Sequence, residues 1–156
     1  MNLFSFASRS VRNIELGIEH QTWAVGTLLN QQSMQARVTK ADRYLHPEAF
    51  GVLYCNEWHA FTTPFIVKSR ADPYTVVMDI WPEPWRLPFK IRTLGTLSRR
   101  LPMKDAAERW PTLKRRLAAV KRGGVSAAFN ITGTTVFIPV EITPEDWGII
   151  CSDLGN

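Results

Sequence analysis

The segment Trp81-Pro82-Glu83-Pro84-Trp85-Arg86-Leu87-Pro88-Phe89-Lys90 puts two indoles, three prolines and the first two of a series of cations into ten residues. Proline ends a helix and cannot donate to a sheet ladder, so the run excludes a helix and argues against a central strand. Both indoles are therefore expected on a stiff loop beside a strand end. Flat apolar faces followed by Arg86, Lys90 and Arg92 have a definite chemical use. A nucleobase stacked on an indole gains roughly 1–3 kcal/mol, while the cations meet the backbone phosphates. Two or three indoles around a base would also bury a methyl group on it, adding about 0.8 kcal/mol, or about fourfold in affinity. The competing use of Trp81 and Trp85 is to plug the end of a barrel.

Four further tryptophans complete the set of six. Trp110 at a helix break and Trp147 in the first turns of a helix read as packing residues. Trp58 follows Asn56-Glu57 at a turn and is expected to be partly exposed.

Charge is concentrated where the indoles are. Between Arg86 and Arg122 twelve basic residues face only Asp105 and Glu108, a net +10, so the remainder of a chain of net charge +5 carries −5. Beyond Arg86, Lys90 and Arg92 this block contains Arg99, Arg100, Lys114, Arg115 and Arg116. A single-sign block inside a folded domain marks a surface presented to a polyanion, nucleic acid being the commonest, or a solvated helix face.

Chemistry that would make an enzyme is missing from the pattern. His20, His46 and His59 have no second ligand at metal-site spacing. There is no Gly-rich phosphate loop and no GxSxG elbow. The carboxylate pair Asp79 and Glu83 lacks the following Glu-x-Lys of a nuclease and is set among prolines. No catalytic residue, metal or cofactor is indicated, and a binding module is the starting point.

The elements that must position these residues are mostly short β-like runs rich in Val, Ile, Thr and aromatics. They are Thr22–Leu28, Phe50–Cys55, Ala60–Lys68, Tyr74–Ile80, Phe89–Leu94 and Thr134–Ile142. Asn56-Glu57 suggests a hairpin between the second and third. The alternation of Phe89 and Ile91 with Lys90 and Arg92 gives a strand with one basic face. Helices are expected over Gln31–Val38, Met103–Arg109 and Thr112–Lys121, the last capped by Thr112 and followed by Gly123-Gly124. A final helix opens with Thr143-Pro144-Glu145-Asp146, a cap, a proline at the first helical position and acids in the first turn.

The 156 residues, 45% hydrophobic and 11% aromatic, suit one folded domain over 1–156 and argue against disorder. No run approaches the ~18 apolar residues of a membrane span, and the first residues do not form a secretion signal. Cys55 and Cys151 stand alone, without a disulfide or zinc pattern. A reducing cytoplasm is the expected location. The expected class is α+β, a small mixed β-barrel with flanking helices.

The stretch Val136-Phe137-Ile138-Pro139-Val140-Glu141-Ile142-Thr143-Pro144-Glu145-Asp146-Trp147 resembles the ending of EVE domains of the PUA-like superfamily. Trp81 to Gly95, WPEPWRLPFKIRTLG, is similar to their middle strand, and Thr22-Trp23-Ala24-Val25-Gly26 to their first-strand tryptophan. The latter also resembles the tryptophan strand of the related YTH domains, which read methylated adenine in RNA through an aromatic cage completed by tryptophans on a later loop. The resemblance covers about Trp23 to Trp147. It implies a pseudo-barrel and a cage of Trp23, Trp81 and Trp85. Asn13 and Asn30 are candidates for satisfying the base edge, because a buried base needs its donors and acceptors paired.

The expectation that follows is a DNA-binding module that flips a modified base, 5-methylcytosine or a derivative, into the cage. Arg86, Lys90, Arg92, Arg99 and Arg100 would grip the backbone, with Lys114, Arg115 and Arg116 as a farther rim. Such sensors serve modification-dependent restriction systems, whose nuclease would lie on another segment or chain. The rivals are an RNA-binding module with the same pocket and an enzyme or small-ligand sensor.

Overall fold

Burial along the strands shows two apolar layers separated by one sheet. The computed structural model describes residues 1–26, 31–131 and 135–156. Strand β1 (Asn2–Ser8) sends Phe4 and Phe6 to one layer and Leu3 to the other; β3 (Phe50–Cys55) sends Leu53 and Cys55 one way, Val52 and Tyr54 the other. Side chains alternate across a strand, so a strand covered on both faces is apolar throughout. That is why these two segments show little polar alternation.

The sheet runs β2-β6-β4-β3-β1-β8, with β5 added to β6 and β7 to β4. Here β2 is Thr22–Gly26, β4 Ala60–Val67, β5 Val76–Val77, β6 Trp85–Thr93, β7 Leu101–Pro102 and β8 Val140–Glu141. Among the described residues only β1 and β3 pair in parallel. The sheet curls on itself: Phe6 of β1 lies 5.3 Å from Phe89 of β6, ring centre to ring centre, across the interior. Helices α1 (Val11–His20) and α2 (Gln31–Tyr44) close this inner layer. The outer layer is covered by α3 (Met103–Arg109), α4 (Pro111–Ala119), α5 (Gly124–Ala128) and α6 (Pro144–Leu154). This is the α+β pseudo-barrel with flanking helices expected from the sequence.

Several elements differ from expectation. β1 and α1 were not anticipated, although Ser10 caps α1 by accepting from the Asn13 N–H. α2 continues past Val38 because Met34, Val38, Ala41 and Leu45 fall on one stripe against the inner layer. Thr112 is not the cap of α4: Trp110 is, and Pro111 takes the first helical position. The backbone N–H and hydroxyl of Thr112 instead reach Asp146 of α6. The capping box of α6, Thr143 with Asp146, is formed as expected. Of Tyr74–Ile80 only Val76–Val77 pairs, and of the described part of Thr134–Ile142 only Val140–Glu141.

The largest correction concerns the proline segment. β6 begins at Trp85, contains Pro88 and lies between β2 and β4. The proline is tolerated because the pairing skips it. Val25 faces Arg86 and Trp23 faces Phe89, so Leu87 and Pro88 together oppose Ala24 in a bulge, with Leu87 at φ 57°. Pro88 contributes only its carbonyl, which accepts from the Asp72 N–H at 2.9 Å.

Candidate functional site

The bulge decides where the indoles go. Gly26 of β2 faces Trp85 and Trp23 faces Phe89 across the shifted register, which sets the two indoles close together, and both belong to the inner layer. Helix α1 presses on Trp23 from outside, where a Cβ on Gly17 would stand 2.7 Å from the Trp23 ring. Trp81, on the loop before β6, is held by donating its indole N–H to the Asn13 carbonyl at 3.0 Å. Trp85 donates its own to the Glu83 carboxylate at 2.9 Å.

The three rings converge from distant parts of the chain. Trp23 meets Trp81 at 5.8 Å and Trp85 at 5.4 Å, both edge-on at about 80°. Trp81 and Trp85 are parallel, 9° apart, with centres at 4.1 Å. A base sandwiched between two rings would need them about 7 Å apart, twice the ~3.5 Å carbon contact distance. The space between Trp81 and Trp85 is therefore closed, and the three rings are 1%, 3% and 5% exposed in the order Trp23, Trp81, Trp85. A slot between the paired indoles is not present.

Open space lies on the other side. A cavity of about 610 Å³ is walled by Trp23 and Trp85 but not Trp81, with Phe6 and Val25 adding to its apolar lining. That volume is in the range of small-ligand sites. Its polar lining comes from the end of β1 and the start of α1 (Ser8, Arg9, Asn13), from Arg37 of α2, from Asn56 in the β3–β4 turn and from Glu83. Burial lowers the Arg37 guanidinium below its ordinary range, but guanidinium remains charged at neutral pH. Among the described residues the Asn13 carboxamide makes no hydrogen bond, leaving its donor and acceptor for a ligand.

Other expected site residues lie elsewhere. Arg86, Lys90 and Arg92 point from β6 to the solvent face, opposite Trp85, Phe89 and Ile91. Lys90 donates to the Thr22 hydroxyl at 3.2 Å. Arg99 is bound to the carbonyls of Ser152 and Gly155 at the end of α6. Arg100 lies over the ring of Trp58. Lys114 and Arg115 are exposed on α4, and Arg116 donates to the Ala128 carbonyl; all three belong with the outer helical layer. Asn30 lies outside the described residues. The cations at the cavity, Arg9 and Arg37, were not anticipated. The signal for Arg9 was its place between a strand of alternating Phe4 and Phe6 and the helix cap Ser10.

No protein-family model matches the chain, and no curated protein does. Solved structures do. The YTH domain of Zygosaccharomyces rouxii MRB1 protein in complex with N6-methyladenosine RNA has a TM-score of 0.51 at 16% identity, covering 69% of this chain. This chain covers 65% of that one, just under two-thirds of its length. The Toxoplasma CPSF4 YTH domain in apo form has a TM-score of 0.50 at 17% identity, over 80% of this chain and 76% of its own. The Mmi1 YTH domain complex with RNA reaches 0.55 at 9% identity, over 97% and 76%. The resemblance to EVE domains expected from the sequence has no counterpart among these neighbours, which are YTH domains. At such identities the likeness concerns architecture, and this chain has the α+β pseudo-barrel fold of YTH domains.

Proposed function

We propose that the chain is an RNA-binding module that takes one modified or unpaired base into the cavity beside Trp23 and Trp85. The observation that carries this reading is a cavity walled by two of the three clustered indoles, Trp23 and Trp85, whose polar lining includes the unpartnered Asn13 carboxamide. The base lies on the cavity side of the stack: Trp85 is the platform, Trp81 backs it, and Trp23 is a wall at right angles. Asn13 pairs with the base edge, since a buried base with unmet donors would cost ~1–3 kcal/mol per group. Arg9 and Arg37, not the cations of β6, are nearest the phosphates.

RNA is preferred to DNA here because the Zygosaccharomyces rouxii MRB1 and Mmi1 YTH domains are solved in complex with RNA, the first with N6-methyladenosine RNA. The DNA and 5-methylcytosine reading, and with it a restriction-system role and a nuclease partner, has no comparable support. The test is a titration of one RNA sequence with and without a single N6-methyladenosine, beside its DNA counterpart with 5-methylcytosine. Tighter binding of the methylated RNA, by about fourfold or more for a buried methyl, is expected. Equal affinity for the two RNAs would remove the modified-base part; preference for the methylated DNA would reverse the choice of polymer.

A further inference from the structure

Trp58 takes no part in the cavity, yet it sits at its edge. Its turn, 56–59, joins β3 to β4, and Asn56 at the start of that turn lines the cavity. The Asn56 N–H donates to the Ser8 carbonyl at 2.8 Å, which ties the turn to the strand end bearing Arg9. Asn56 and Trp58 are two positions apart, so their Cα atoms are at most about 7 Å from each other. One side of the half-buried Trp58 packs on the same apolar layer that contains Trp23 and Trp85. Over its ring lies the Arg100 guanidinium, 4.4 Å from the centre.

The backbone that carries Arg100 is held from both sides in sequence. Arg99 is anchored on the carbonyls of Ser152 and Gly155, and Leu101 pairs with Phe61 next to the turn. The Met103 N–H adds a bond to the His59 carbonyl at 3.0 Å. Among the described residues no carboxylate pairs with Arg100, which is exposed. A planar, solvent-facing guanidinium backed by an indole is a surface on which a base stacks, its edge donors remaining free for a phosphate.

We propose that the Trp58–Arg100 pair is a second stacking seat, which takes the base of the nucleotide next to the one held in the cavity. The proposal rests on the cavity reading, and it makes the ligand a single strand of at least two nucleotides. The neighbouring base lies on the guanidinium plane with Trp58 beneath it.

The experiment compares N6-methyladenosine 5′-monophosphate with short RNAs carrying the same nucleotide and one adenosine on its 5′ or its 3′ side. Each is titrated against the native chain and against Trp58→Ala, Trp58→Phe, Arg100→Ala and Arg100→Lys, with thermal melts to verify folding. Adding the flanking adenosine on one of the two sides should tighten native binding by roughly 5- to 150-fold, the worth of one stacked base. Trp58→Ala and Arg100→Ala should lose that gain without altering mononucleotide affinity. Trp58→Phe should restore most of it. Arg100→Lys should lose most of it, because an ammonium has no plane. Survival of the gain in both alanine variants would make the pair a fold staple only and overturn the proposal, and so would native-like behaviour of Arg100→Lys. Failure of the cavity reading shows separately, as indifference of every ligand to the methyl group and to Asn13→Ala, with the Trp58 dependence still readable from unmodified oligomers.

Discussion

Trp23 and Asn13 both line the cavity, but substitution should act on them differently. Trp23 is buried against α1 and the other indoles, so Trp23→Ala is expected to cost about 3–5 kcal/mol of stability in urea denaturation, as large core truncations do. It is therefore not a clean probe of recognition. Asn13 holds Trp81 through its backbone carbonyl, which truncation leaves in place. Asn13→Ala should keep the melting curve near native and weaken methylated RNA by about tenfold, from the loss of one buried hydrogen-bonded pair. A second contrast separates the cations. Arg9→Ala should weaken methylated and plain RNA alike and flatten the salt dependence by ~0.7 in the logarithmic slope, one single-strand phosphate contact. Arg92→Ala, on the far face of β6, should leave both unchanged in the same titrations.

Among the elements, those with local signals were the legible ones. The β3–β4 hairpin and the start of α6 follow from turn and cap residues a few positions apart, and both are present. β6 was half legible. The alternation of Phe89 and Ile91 with cations was visible, but Pro88 hid the extension back to Trp85, because tolerance of a proline depends on which residue of another strand is left unpaired. The same limit applies to the site: the proline-rich run singled out Trp81 and Trp85 and the family resemblance added Trp23, whereas their closed stack and the cavity cations depend on β2–β6 register and on α1. That register has its own test. Gly17→Ala should push a methyl against the Trp23 ring and destabilise the fold by about 1–3 kcal/mol, measured by denaturant midpoint, with loss of RNA discrimination as the ring shifts.

Across the whole molecule, the basic block that dominates the sequence does not form the expected rim around the indoles. The fold divides it between the outer face of β6, the loop bearing Arg99 and Arg100, and α4, while the cavity draws Arg9 and Arg37 from outside the block. Linear charge density could not reveal this, since β6 and α4 lie on different layers. The helical layer also sets the acid stability. Burial alone would raise the Asp146 carboxyl, but hydrogen bonds from Thr112 and Thr143 outweigh it and hold it below its ordinary value of 3.8. Arg109 holds Asp153 below the same value. Carboxyls lowered in the folded state contribute stability that is fully present above the unfolded value and lost as pH falls through the folded one. Denaturation should therefore show a flat stability above about pH 5 and a decline below about pH 4, with Asp146→Asn removing part of that decline.

The central claim is that a base enters beside Trp23 and Trp85. Its most direct test is the set of indole N–H resonances in a nitrogen-15 spectrum, titrated with N6-methyladenosine 5′-monophosphate. The signals of Trp85 and Trp23 should move together and saturably, while Trp110 and Trp147, packed in the helical layer, stay in place. Saturable shifts confined to Trp110 or Trp147, or no shift at any indole, would contradict it.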